Sequence, residues 1–217
     1  KTLIILICIY SSTLYAQPSA SGVETIVNST TADSQLSPVV AMDASGNYEE
    51  RGIYHTIDNF GNVVEYSKKD DLRNHYIWGY HQSLPIAQVA YHNKGVQSGE
   101  LYWFYYESFE DAIAFPDAVA DGLTGEKAYS VGSGAYTIPN APTNATGLKM
   151  SYWYFKDNQW QFSGEIDFQE VITVSVGTSK IDEVRVYPSG AQMTTFAYDF
   201  KGQTTEICDA NNVISYY

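Results

Sequence analysis

Leu148-Lys149-Met150-Ser151-Tyr152-Trp153-Tyr154-Phe155-Lys156-Asp157-Asn158-Gln159-Trp160-Gln161-Phe162-Ser163 is the stretch whose reading decides the fold class. Its first eight residues are dense in aromatics and change side with period two, as a pleated strand requires. Lys156-Asp157-Asn158 supplies turn chemistry, and Gln159 to Ser163 reads as the returning strand of a hairpin. Alternation puts Met150, Tyr152 and Tyr154 on one face and Trp153 on the other, and Trp160 and Phe162 share a face of the second arm.

The same grammar recurs outward in both directions. Glu170 to Val176 and Ile181 to Tyr187 read as two further strands, and Ala128-Tyr129-Ser130-Val131 as another, following the turn Gly122 to Lys127. Upstream, Tyr54 to Ile57 and Val63 to Tyr66 flank Asp58-Asn59-Phe60-Gly61-Asn62. His75 to Tyr80 and Ile86 to Tyr91 flank a second turn closed by Pro85. The one helix-like run, Asp111 to Ala120, is interrupted by Pro116 and reads as a loop. Short strands at this spacing predict a sandwich or barrel rather than βαβ units.

Composition agrees. The 217 residues are 15% aromatic, with 19 tyrosines and 16 glycines, which favours short strands and tight turns over long helices. The formal charge is -13, so clustered cations for nucleic acid or an anionic membrane are lacking.

Lys1, the apolar run Leu3 to Tyr10 and the small residue Ala16 read as a signal peptide over 1–16, too short for a membrane span. Cleavage there removes Lys1 and takes the charge from -13 to -14. It also removes Cys8, leaving Cys208 with no partner for an internal disulfide. Residues 17–40 read as a flexible Ser/Thr/Ala/Asn leader. Asn28-Ser29-Thr30 and Asn144-Ala145-Thr146 match the glycosylation pattern, which is common by chance.

Near the C-terminus, Tyr198-Asp199 is followed by Gly202 and Thr204. Asp58 is followed by Gly61, Val63 and Tyr66, and Asp209 by Asn212, Ile214 and Tyr217 at the same offsets. Physically, the Asp caps a turn, Gly or Asn takes the positive φ, and the apolar and Tyr positions pair across strands. This spacing resembles the YD repeat of rearrangement-hotspot (RHS) proteins. A second resemblance rests on Ser108-Phe109-Glu110, Thr124-Gly125-Glu126-Lys127-Ala128-Tyr129 and Ile181-Asp182-Glu183-Val184-Arg185-Val186-Tyr187. Their order is similar to the galactose-binding-like jelly roll of carbohydrate-binding modules. Together they resemble large secreted RHS-type proteins of Bacteroidetes over most of Ala44 to Tyr217. The resemblance implies an all-β chain: YD-repeat-like β-hairpins over 41–97, a jelly-roll β-sandwich over 98–190, and the start of a YD-repeat array over 191–217. It also leads us to expect a piece of a longer YD-repeat chain.

In jelly rolls of this kind a structural Ca²⁺ is commonly held by carboxylates, and the resemblance maps that role onto Glu110 and Asp182, with carbonyls near Gly125 or Lys127. The plainer alternative makes both carboxylates turn or edge residues. Trp153 and Trp160 form an aromatic platform for sugar if the hairpin register matches; the alternative use is core packing. Glu165 and Asp167 share a strand face, where a carboxylate pair for glycoside hydrolysis competes with a solvated face. The four histidines lack metal spacing, Cys208 has no nearby cation but distant Lys201, and no serine elbow, P-loop or dinucleotide fingerprint occurs. The expectation is therefore a non-enzymatic secreted or cell-surface protein whose jelly roll binds a glycan or a cell-surface protein. The alternatives are a structural spacer in a YD-repeat β-shell and an accessory domain of an enzyme whose catalytic part lies outside this chain.

Overall fold

The structure, a computed structural model, describes residues 36–42, 48–68, 71–92, 102–111, 114–116, 118–132, 134–143 and 146–217. The expected signal peptide, the leader up to residue 35, Asn28 and Asn144 lie outside the described residues.

Alternating Tyr, Val and Ile runs separated by Asp/Asn/Gly turns produce strands and, among the described residues, no helix. The first five strands are β1 (Leu36–Met42), β2 (Tyr48–Ile57), β3 (Val63–Ser67), β4 (Arg73–Gly79) and β5 (Leu84–Tyr91). β1 begins inside the stretch read as leader, and Pro85 lies within β5, opposite Trp78, rather than closing the turn before it. Nine further strands follow: β6 (Tyr105–Glu107), β7 (Val119–Ala120), β8 (Lys127–Ser130), β9 (Ala135–Thr137), β10 (Leu148–Lys156), β11 (Gln159–Phe162), β12 (Ile166–Asp167), β13 (Val171–Thr173) and β14 (Thr178–Pro188). The chain closes with β15 (Gln192–Tyr198), β16 (Thr204–Cys208) and β17 (Ile214–Tyr216).

The first sheet has the order β1-β2-β3-β4-β5-β15-β16-β17, all antiparallel. β5 and β15 pair directly, Ala90 against Gln192, so β6 to β14 are inserted between two neighbouring strands. The insert forms a second sheet, β11-β10-β14-β8-β7, joined by β12 on β10 and β6 on β14, plus a two-stranded sheet of β9 and β13.

Two apolar cores result. The insert's own core gathers Phe109, Met150, Ile181, Val184 and Val186 beneath Tyr136 and Ile172 of the small sheet. Ala87, Val89 and Met193 of the first sheet meet Tyr106 and Tyr187 of the second in the other. Each such Val, Ile, Met or Phe side chain contributes about 1.5–3 kcal/mol on burial.

Three turns of the first sheet are built alike. Asp58 Oδ1 accepts from the amides of Phe60 (2.9 Å) and Asn62 (2.8 Å), and Gly61 has φ +89°. Asp199 takes the amides of Lys201 and Gln203 (2.8 Å each) with Gly202 at φ +76°. Asp209 takes those of Asn211 (2.8 Å) and Val213 (2.9 Å) with Asn212 at φ +63°. The Asp cap and the left-handed fourth residue are the turn chemistry read from the sequence.

Candidate functional site

Two places carry the candidate residues: the turn Gly122 to Lys127, and the outward face of the β10–β11 hairpin.

The first depends on a bulge. Ser151 of β10 lies opposite Arg185 of β14, but Trp153 lies opposite Asp182, so three steps of β14 match two of β10. Glu183 takes φ +52° at that point. The extra residue resets the alternation. Ile181, Val184 and Val186 all enter the insert's core, while Asp182, Glu183 and Arg185 join hydrogen bonds on the other side of the sheet.

All three of those polar side chains are at most 2% exposed. Arg185 Nη2 lies 2.6 Å from Glu183 Oε2 and 2.9 Å from Thr195 Oγ1. Its Nη1 donates to the carbonyls of Met193 (3.4 Å) and Asp209 (3.2 Å) and to Asn212 Oδ1 (3.2 Å). Glu183 Oε1 accepts from the hydroxyls of Tyr106 and Thr124 at 2.5 Å, and its Oε2 from Thr195 at 2.7 Å. Burial pushes the Glu183 carboxyl up, but the Arg185 guanidinium and these hydroxyls outweigh it and hold it below the usual range.

Asp182 faces the turn. Its Oδ2 accepts from the amides of Leu123 (2.7 Å) and Thr124 (3.2 Å), and its Oδ1 from that of Glu183 (2.7 Å). Burial, reinforced by the Glu183 charge, pushes its carboxyl well above the ordinary value against the pull of those amides. Glu110 grips the other end of the turn, its Oε1 accepting from Glu126 N (2.8 Å) and Lys127 N (2.7 Å). Burial raises Glu110 to about 7 despite these amides, and raises neighbouring Glu107 to about 7 as well. Gly125 is required between them: it has φ +67°, and a Cβ there would sit 2.5 Å from Glu110 Oε1. Its amide donates to Glu206 of β16.

For a calcium ion, the donors fit in kind. Glu110 and Asp182 are hard carboxylates on one turn, and the carbonyls of Lys127 and Thr124 converge on Gly122. A Cβ at Gly122 would stand 2.3 Å from Lys127 O and 2.9 Å from Thr124 O. Both carboxylates meet amides on this turn, and no group of three or more His, Cys, Asp or Glu side chains suited to a metal occurs among the described residues.

The hairpin face is set by the β10–β11 register. Trp153 stands opposite Phe162 and Phe155 opposite Trp160, so Trp153 and Trp160 share one face diagonally rather than as a direct pair. The Trp153 and Phe162 rings are 5.3 Å apart and tilted by 43°; Phe155 and Trp160 meet edge-to-face at 5.4 Å. All four rings are half-buried and belong to neither apolar core. Lys180 places its Nζ 5.1 Å from the Phe155 centroid and 5.9 Å from that of Trp160 while donating to the carbonyls of Ala120 and Asp121. Ser151 Oγ and Trp153 Nε1 are buried without a hydrogen-bond partner.

The remaining candidates are engaged elsewhere. Glu165 accepts from the Tyr187 hydroxyl (3.2 Å), and Asp167 pairs with Lys149 (2.7 Å). Cys208 is 1% exposed, and burial pushes its thiol up to about 11 even though Arg185, not distant Lys201, is the cation beside it. That guanidinium is the feature sequence reading missed; only the unusual Asp-Glu-x-Arg order hinted at it. No protein-family model, no curated protein and no solved structure matches this chain.

Proposed function

We propose that this chain is a non-catalytic binding protein whose inserted sheet holds a sugar against the aromatic face of the β10–β11 hairpin. One observation carries the reading: Trp153, Phe155, Trp160 and Phe162 cluster on one face outside both apolar cores. Aromatic rings offer π faces to sugar C–H groups, and an edge-on neighbour such as Phe155 orients the Trp160 indole. In this reading the inserted region is a jelly roll, the flanking turns are YD-repeat units of a longer chain, and the protein is secreted or displayed at a cell surface. These parts rest on the resemblance of the sequence, which is fold analogy. Calcium, when bound, would neutralise the buried carboxylate of Asp182 and the half-buried one of Glu110 and brace the turn between them.

The test is binding of the full chain to an immobilised glycan array, with calcium and with chelator. Trp160→Ala should weaken binding at least about tenfold, roughly 1.4 kcal/mol, with little change in thermal stability. Specific binding that survives in both Trp153→Ala and Trp160→Ala would overturn the assignment of the face. A second reading, a spacer without ligand, is favoured by the Arg185 bonds to Met193, Asp209 and Asn212, which tie the insert to the first sheet. Absence of any glycan binding by the folded chain would select it.

A further inference from the structure

The first sheet distributes its charge in reverse. A sheet with one face on a core ordinarily carries its charged side chains on the other. Here Val89 and Met193 face the second sheet, and the register puts Glu65 and His75 in their row. Arg73 and Glu206 occupy the same inward set, opposite Tyr91 and Ala197. Every charged residue of β3 to β5 and of β15 to β17 therefore sits on the inward face.

The outward positions carry none. Tyr76 lies opposite Gln88, and Gln88 opposite Thr194; Tyr54 pairs with Tyr66, and Phe196 with Ile207. These side chains are half-buried and reach solvent. The Tyr66 ring lies over Gly52, where a Cβ would come within 2.4 Å of it, so the ring lies low over the neighbouring strand. Gln88 Nε2 donates to Asn74 Oδ1 (2.8 Å), and Asn74 Nδ2 donates to the Leu72 carbonyl (3.4 Å). Depletion of charge with enrichment in tyrosine marks the centre of a protein interface.

We propose that this outward face is the contact between two copies of this chain, sheet against sheet about a two-fold axis. The occupant follows from charge. The chain carries -13, so copies repel over most approaches, and a charge-free face lets them meet with least repulsion. A flat mixed face of Tyr, Thr, Gln and Phe is also complementary to itself, as a two-fold contact demands. Six strands (β3 to β5 and β15 to β17) about 4.8 Å apart and about five residues long present on the order of 500 Å² per copy. Two such faces bury about 1,000 Å², the threshold for a specific interface.

The test is sedimentation of the full chain from micromolar to about 200 μM, in low and high salt. A dimer is expected, tightening with salt because the repulsion between copies is screened. Thr194→Arg, at the centre of the face, should weaken dimerisation at least tenfold, and Tyr76→Glu should do the same, with each monomer keeping its melting temperature within a few degrees. A chain that stays monomeric throughout overturns the proposal. So does a dimer that persists unchanged in both folded variants, or one that weakens as salt rises.

Discussion

Replacing Arg185 with methionine keeps much of the side-chain length and removes one buried charge. Glu183 would then retain three hydroxyl donors, from Tyr106, Thr124 and Thr195, but no countercharge. Breaking a buried ion pair from one side costs about 3–5 kcal/mol. The carbonyls of Met193 and Asp209 also lose a donor, at about 1 kcal/mol each where no water reaches them. The retained hydroxyls pull the total toward about 4 kcal/mol. For a chain of this size that lowers the melting temperature by roughly 8–16 °C. The pH dependence is diagnostic. In the wild type the lowered Glu183 carboxyl contributes stability above its unfolded value of 4.5, and that contribution fades as pH falls. In Arg185→Met burial outweighs the three remaining hydroxyls, the folded value rises, and stability is lost as pH rises instead. Urea denaturation of both proteins at pH 7 and pH 4 should therefore show the gap shrinking with acid. A loss under about 1 kcal/mol, or a gap that is constant or grows with acid, would refute the assignment of Arg185 as the countercharge of Glu183.

Glu107, raised to about 7 by burial, holds stability that is present below its unfolded value of 4.5 and lost as pH climbs through 7. Glu107→Gln should therefore flatten the stability curve between pH 5 and 8, which a urea series would read, with a gain of at most about 3 kcal/mol at pH 8. Millimolar calcium should raise the melting temperature of the wild type over a chelated sample, and Glu110→Gln should abolish that rise; equal shifts in both proteins would remove Glu110 from the site. Asp199→Ala removes the carboxylate oxygen that accepts from two amides of the β15–β16 turn and should cost about 1 kcal/mol by chemical denaturation. The Cys208 thiol, buried and raised to about 11, should react with a thiol reagent only at the rate of unfolding, so labelling that outpaces unfolding would contradict its burial.

Much of the β architecture was legible because its signals are local. The β10–β11 hairpin shows in the alternation of Met150 to Phe155, and the three Asp turns in the spacing from Asp to Gly or Asn. What the sequence hid is non-local. Nothing near Asp182 or Glu183 announces that a bulge turns both to one side, since the bulge is defined only by the partner strand β10. The Arg185 cluster likewise draws on Tyr106, Thr124, Thr195 and Asn212, which are scattered along the chain and meet only after β14 packs on β15. Pro85 read as a turn residue because it has no amide hydrogen, yet β5 accommodates it at an irregularity in the β4–β5 register. The diagonal offset of Trp153 and Trp160 follows from the turn length, which composition does not encode.

The direct pairing of β5 with β15 also sets an order of events. These strands are neighbours in space and about a hundred residues apart in the chain, so their contact closes a long loop. While the insert is unfolded its ends wander, and the first sheet is held at five strands. Once the insert's own core condenses, its two ends are fixed and β15 is delivered beside β5. Completion of the first sheet is thus a late step in folding, slow in the manner of non-local β pairings. A chain stalled before that step would present the unpaired edge of β5, a template for pairing with the wrong molecule.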